Sequence, residues 1–333
     1  MSLADTGVAV AGYAEADLRN RIGAVLGDRM EARVEVDSLS ELAGGASRRT
    51  WGVGLLVDGA AVDVVAQVTG TQAADLLSMT AQAAVIGRAR AAGVSAPEVL
   101  HADDGVDGEP PLLIMRRALG EAVPTKVLRS EGLAEARSRL AADCGATLAK
   151  LHSIAEPGVP GLVERGSIED ARDRLDDLED TRPAFELALA WLGQHRPSPP
   201  PRPCLVHGDF RLGNLVVDVG GLVAVLDWEL AHLGEPGEDL GFLCVRSWRF
   251  GGSSPVGGFG SYEALLESYN QASGTDIDLG TLRWWEVLGT LRWGVICLAQ
   301  RRKHLDRSER SIELAAIGRR VSEVEHDLMV LLP

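Results

Sequence analysis

The chain has 333 residues, 46% hydrophobic and 24% charged, which suits a folded protein with a sizeable core, built as two modest domains or one bilobal unit. Its formal charge of −15 argues against a general nucleic-acid binder, which needs a basic stripe to neutralise phosphates; the acidic surface reads as a solubility feature that still permits a cationic substrate. Cys144, Cys204, Cys244 and Cys297 lack zinc spacing, and the opening MSLADTGVAVAGYAEADLRN has neither a basic leader nor a long apolar run, so a cytoplasmic chain without membrane association is expected.

In chain order, Ala14 to Gly27 reads as a polar-led helix, and a β-rich region begins at Val34. VEVDSL, a glycine-rich turn, WGVGLLV, the turn DGA and VDVVAQV follow one another, and DG between two apolar runs signals a hairpin. Ala73 to Ala92 is alanine-rich and helical, closed by Gly93 with Pro97 beyond it. APEVLHADD and PPLLIMRR add two strands, which makes about five strands and one helix between Val34 and Arg117. From Ala118 onward the texture is helical. Helices are expected over Glu135 to Ile154, within Ser167 to Gln194, and over Ser261 to Ser273, Asp278 to Leu305 and Ser311 to Leu332. Residues 1–117 are therefore expected to form a small β-rich lobe, and residues 118–333 a larger, mainly helical one.

Between these helices lies HGDFRLGNLVVDVGGLVAVLDWE, from His207 to Glu229. Taking Gly220-Gly221 as a two-residue hairpin turn pairs Asn214 with Asp227, and directly opposed residues share one face with Cβ atoms about 4.5–5.5 Å apart. An amide oxygen and a carboxylate so placed suit a hard divalent cation such as Mg²⁺. His207 and Asp209 fall on the loop at the same end. An ordinary hairpin with solvated polar ends is the plain alternative. A transition-metal site on His207 and Asp209 would need more ligands, and His232 and Cys204 stand at no metal-binding spacing.

HGDFRLGN followed by LDWE and GEPGEDL resembles the catalytic segment of the aminoglycoside-phosphotransferase and choline-kinase-like branch of the protein-kinase superfamily. LAGGASRRTW resembles that family's phosphate-facing loop, LLIMRRALG its hinge, and LAKLHSI the helix before its catalytic loop. WRFGG, RWWEVLGTLRWGVIC and ELAAIGRRV are similar to the subgroup associated with acyl-CoA dehydrogenases. The resemblance runs from about Ser38 to the C-terminus. It implies an α+β, bilobal protein-kinase-like fold and a small-molecule kinase, with ATP or GTP as co-substrate near Arg116 to Gly120. On the matched positions it implies that Asp209 accepts or orients the substrate hydroxyl's proton, and that Asn214 and Asp227 hold Mg²⁺. His207 becomes a brace of the loop. Asp239 would tie down the loop backbone, although a surface Asp at a helix start reads equally well. Gly44, Gly45 and Ser47 would face the phosphates, with Gln67 and Met115 as further nucleotide contacts.

One part of such a kinase is missing. A strand Lys or Arg held by a helix Glu normally engages the α/β-phosphates. Here those positions fall on Gln67 and Gln82; no Lys or Arg occurs between Arg49 and Arg88, and no Glu between Glu41 and Glu98. One unit charge 4 Å from a phosphate is worth about 4 kcal/mol at an effective dielectric of about 20, roughly three orders of magnitude in rate or binding. Three readings follow: a slow kinase, a kinase whose cation has moved to Arg48 or Arg49, or a nucleotide-binding pseudokinase or regulatory module. Around Trp284, Trp285 and Trp293, core tryptophans with arginines bracing acids are expected over a substrate site. Were Arg292 or Trp248-Arg249-Phe250 to face the substrate, an anionic or acyl acceptor would fit better than an aminoglycoside.

Overall fold

The computed structural model describes residues 15–42, 48–69, 76–105, 108–166, 168–200, 202–308 and 311–333. It divides into two compact units. The smaller holds the chain up to Gly87 together with Pro97–Ala118 and Val159–Gly161, and the larger holds Arg88–Ala96, Leu119–Gly158 and Leu162–Pro333.

In the smaller unit, α1 (Glu15–Met30) precedes β1 (Val34–Leu42), β2 (Arg49–Val57) and β3 (Ala60–Val68). The helix α2 (Met79–Ala91) then leads to β4 (Val99–Asp103) and β5 (Leu112–Arg116). The five strands form one antiparallel sheet in the order β1-β2-β3-β5-β4. Alternation along β3 sends Val64, Ala66 and Val68 to one face, where they pack with Leu18, Ile22 and Leu26 of α1 in a buried core. Arg21 ties the helix to the sheet, donating to both Asp103 oxygens at 2.7 and 2.8 Å. Val65 pairs with Met115 and Gln67 with Leu113, so Gln67 and Met115 share the sheet face opposite α1.

The larger unit contains α3 (Pro124–Arg129), α4 (Ala134–His152), α5 (Ile168–Leu178) and α6 (Pro183–Gln194). Next come β6 (Cys204–Val206), the hairpin β7 (Leu215–Asp218) and β8 (Gly221–Val225), β9 (His232–Gly234) and α7 (Gly237–Cys244). It ends in α8 (Tyr262–Ser273), α9 (Leu279–Leu305), α10 (Ile312–Arg319) and α11 (Val321–Leu331). The single helix expected from Ser311 to Leu332 is therefore two, separated at Arg320. Helix α9 is the axis of this unit: Trp284, Trp285, Trp293 and Leu288 are buried with Phe185, Leu192, Phe242 and Leu328. The four cysteines are free and buried. No described helix is long and apolar enough to cross a membrane.

Candidate active site

The loop from His207 to Asn214 follows β6 and is held from below by one carboxylate. Asp239, in the first turn of α7 and fully buried, accepts from the backbone N–H of His207 at 2.7 Å and of Gly208 at 2.9 Å. His152, at the end of α4, lies 3.1 Å from the same carboxylate through Nε2, and its Nδ1 lies 3.1 Å from the Tyr269 hydroxyl. Burial alone would push the Asp239 carboxyl up. The His152 hydrogen bond and the His207 backbone amide outweigh it and hold it below the usual aspartate value.

His207 is spent on structure. Its Nδ1 accepts from the Asp209 N–H at 3.2 Å, which puts the ring proton on Nε2, donated to the Leu226 carbonyl at 2.9 Å. The ring lies 4.7 Å from that of Trp228 and 5.9 Å from that of Phe210. Between His207 and Asp209 the chain passes through Gly208 at φ 79°, where a Cβ would come within 2.4 Å of the Leu230 carbonyl oxygen. Only glycine fits that turn.

Asp209 is gripped on both oxygens. Arg211 Nε donates to Oδ1 at 2.9 Å, and Asn214 Nδ2 donates to Oδ2 at 2.7 Å and to the Asp209 carbonyl at 3.0 Å. The Arg211 guanidinium is itself stacked 4.6 Å from the Trp248 ring. Burial pushes the Asp209 carboxyl above its ordinary value; Arg211 opposes this, and the nearby Asp227 charge adds to it.

The hairpin departs from the expected register. Its turn is Val219-Gly220, one residue earlier than Gly220-Gly221, because the Asp218 carboxylate accepts from the Gly220 N–H at 2.6 Å. Asp218 pairs with Gly221, and a bulge that passes over Val223 shifts the ladder so that Val216 meets Ala224 and Leu215 meets Val225. Asn214 therefore lies opposite Leu226, whose N–H donates to its carbonyl at 2.8 Å, and not opposite Asp227. Asp227 follows the end of β8 in a left-handed conformation, φ 65°. The backbone turn, not direct opposition, brings its half-buried carboxylate within charge range of Asp209.

These residues fit a magnesium ion. With its Nδ2 engaged by Asp209, the mostly buried Asn214 has Oδ1 left as its ligating atom. Asp227 would supply a carboxylate, within charge range of Asp209, on a backbone conformation that costs about 1–3 kcal/mol outside glycine and persists where surroundings enforce it. No group of three or more His, Cys, Asp or Glu side chains able to hold a metal occurs among the described residues. An amide oxygen and a carboxylate are hard donors of the kind Mg²⁺ takes, with water and phosphate completing its shell.

In the smaller unit, Gln67 and Gln82 are joined by a cation from a third segment. Arg48 NH1 lies 2.7 Å from Gln82 Oε1 and 3.4 Å from Gln67 Oε1. Arg49, the other candidate, donates to Glu41 at 2.8 and 3.1 Å and lies 4.8 Å over the Trp51 ring. Met115 is buried on β5 beside Val65. Gly44, Gly45 and Ser47 lie outside the described residues.

Of the two arginines beside the α9 tryptophans, Arg292 braces an acid as expected, while Arg283 lies 5.9 Å over the Tyr262 ring. Arg292 donates to Glu238 at 2.6 Å, and Arg249 donates to the fully buried Glu286 at 2.9 Å, while Trp284, Trp285 and Trp293 are core. A cavity of about 360 Å³ opens in the larger unit instead. Its walls include Arg129, Arg137, Ser253, Ser254, Phe250 and Phe259, and among the described residues no Asp or Glu.

The sequence model of the phosphotransferase enzyme family matches residues 38–285. The chain belongs to this phosphotransferase family. Acyl-CoA dehydrogenase family member 10 of Mus musculus is 46% identical over 65 residues, 19% of this chain and 6% of that protein. Aminoglycoside 3'-phosphotransferase of Escherichia coli is 37% identical over 84 residues, 25% of this chain and 31% of that protein. The chain thus spans well under half the length of either relative. Among solved structures, a candidate aminoglycoside phosphotransferase of Ralstonia eutropha JMP134 superposes with a TM-score of 0.70 at 19% identity, covering 93% of this chain and 97% of that one. The fold is the kinase-like fold of these phosphotransferases, with a five-stranded antiparallel sheet in one unit and a mainly helical second unit.

Two residues that sequence reading passed over brace the candidate site, His152 and Arg211, and Trp248, weighed there only as a possible substrate contact, stacks on Arg211. His152 and Arg211 stand inside motifs already singled out, LAKLHSI and HGDFRLGN. Nothing local announces that Trp248 stacks on Arg211, because the two meet only in the fold.

Proposed function

We propose that the chain is a Mg²⁺-dependent phosphotransferase that moves the γ-phosphoryl group of ATP or GTP to a hydroxyl of a small molecule. The observation that carries this reading is the Asp209–Asn214 hydrogen bond beside Asp227: a base held by an amide, next to a second carboxylate. In the proposed reaction the acceptor's O–H proton passes to Asp209 as its oxygen bonds to the γ-phosphorus. The β–γ bridging bond breaks and the nucleoside diphosphate leaves with its electron pair. Asn214 and Asp227 would hold Mg²⁺, which supplies charge neutralisation at the phosphates when bound. Arg211 opposes the upward push of burial on Asp209, and Asp239 ties the loop backbone from behind.

For the acceptor, the cavity favours an anionic or hydroxyacyl compound over an aminoglycoside. Two arginines with two serines suit a carboxylate or phosphate, and the described wall residues offer a polycationic sugar no carboxylate. Similarity to an acyl-CoA dehydrogenase family member points the same way. The test is nucleotide-dependent phosphorylation of parallel panels of hydroxylated acids, hydroxyacyl thioesters and aminoglycosides, followed by mass spectrometry. Turnover of the first two panels is expected. Turnover of aminoglycosides alone would overturn the acceptor assignment, and failure of wild type to bind any Mg²⁺–nucleotide would overturn the reaction.

A further inference from the structure

Nothing on β3 or α2 before Arg88 can place a positive charge on a phosphate, since residues 50–87 contain no Lys or Arg. Yet the side chains at the two relevant positions are not idle. Gln82 is 1% exposed, and its Nε2 donates to the Leu77 carbonyl at 2.8 Å and to the Ser78 carbonyl at 3.4 Å. Those two acceptors decide which way the amide points: its oxygen faces Arg48. Gln67 turns its own amide oxygen to the same NH1 from the opposite side, from β3. Two amides from two elements thus aim at one guanidinium that arrives from the start of β2.

We infer that Arg48 is the cation that engages the α/β-phosphates of the bound nucleotide, positioned by Gln67 and Gln82. The inference rests on the nucleotide-dependent reading above. Arg48, Gln67 and Gln82 meet within the smaller unit, so the positive charge absent from β3 and the first turns of α2 is brought to those positions from the residue just before β2. A guanidinium suits the role, since its planar fork can grip two phosphate oxygens where a strand lysine offers a point charge. The glutamines act through Arg48 and are positioning residues: each fixes the fork by a hydrogen bond, and neither carries charge.

Calorimetry on the full chain with Mg²⁺ and ATP, ADP or adenosine tests this. Arg48→Ala is expected to weaken ATP and ADP binding by about ten- to a hundred-fold, the worth of a charge-assisted hydrogen bond, and to leave adenosine binding within about twofold. Arg48→Lys should retain part of the affinity. In a Gln67→Lys/Gln82→Glu background, which restores a strand cation and a helix acid, the loss caused by Arg48→Ala should shrink to a few-fold. That rescue is an outcome a merely structural arginine would not produce, and thermal melting of each variant separates binding loss from unfolding. Wild-type binding with an Arg48→Ala affinity within about twofold of it would overturn the assignment and leave the phosphotransferase reading intact. Absence of wild-type nucleotide binding would overturn both.

Discussion

Asn214 donates its amide to the carboxylate of Asp209 at 2.7 Å, so the side chain proposed to ligate the metal also orients the proposed base. Replacing Asp209 by Asn keeps the shape and removes the proton acceptor, with an expected fall in kcat of about 10²- to 10⁴-fold and little change in nucleotide affinity. Asn214→Ala should lower both, because one residue serves the base and the metal. Single-turnover rates and nucleotide titrations separate the two patterns; an Asp209→Asn rate within threefold of wild type would remove Asp209 from the chemistry.

The raised carboxyl of Asp209 gives a signed pH dependence. The base must be ionised to work, so kcat/KM should fall on the acid side around a pKa above the ordinary aspartate value of about 3.9. Arg211→Ala removes a charge that holds the carboxyl down and should move this limb to higher pH. Asp227→Asn should move it to lower pH in the metal-free enzyme, read by titration of Asp209 itself. For stability the sign is the reverse of an ion-paired acid. The folded state holds the Asp209 proton longer, so this group's contribution is greatest below the unfolded pKa and declines as pH rises through the folded one.

Asp239 behaves oppositely. Its folded pKa is depressed, so its contribution is present above the unfolded value and is lost as pH falls through the folded one. Asp239→Ala strips partners from two buried amides and from His152, and should cost about 3–5 kcal/mol in denaturant unfolding. Asp239→Asn, which keeps one acceptor oxygen for the two amides, should cost less, about 1–3 kcal/mol.

Gly208→Ala should disable the loop without touching a reacting group. A left-handed backbone and a Cβ 2.4 Å from the Leu230 carbonyl oxygen leave the added methyl no room. A loss of at least about 1–3 kcal/mol is expected, with activity falling further than stability because Asp209 moves with the loop. A variant with wild-type kcat would show that the loop relaxes freely.

The cavity makes a prediction about specificity. Arg129→Ala/Arg137→Ala should raise KM for an anionic acceptor by about tenfold or more, with nucleotide Kd unchanged. Arg137 also donates to the Val127 and Ser130 carbonyls at 3.0 Å, so Arg137→Lys is the control for structural damage. Equal effects on anionic and neutral acceptors would count against charge recognition.

Much of this was legible beforehand, for physical reasons. Strand alternation and the Asp58-Gly59 turn predicted the five strands between Val34 and Arg117, since one apolar face must meet α1. The polar residues from His207 to Asp227 were placed at one hairpin end, but their pairing was misread. Two adjacent glycines advertise a turn, yet the Asp218 side chain secures it one residue earlier, and the bulge at Val223 restores only part of the offset, which leaves Asn214 opposite Leu226. The absence of a strand cation could be read from composition. That Arg48 reaches Gln67 and Gln82 could not, because the contact depends on how β2, β3 and α2 come together.

The central claim is a magnesium-assisted nucleotide site, and calorimetry tests it most directly. ATP and GTP would be titrated with and without Mg²⁺ into wild type and Asp227→Ala. The account predicts binding of at least one nucleotide that strengthens tenfold or more with Mg²⁺ in wild type and loses that dependence in Asp227→Ala. Binding that ignores Mg²⁺, or no binding of either nucleotide at millimolar concentration, would contradict it.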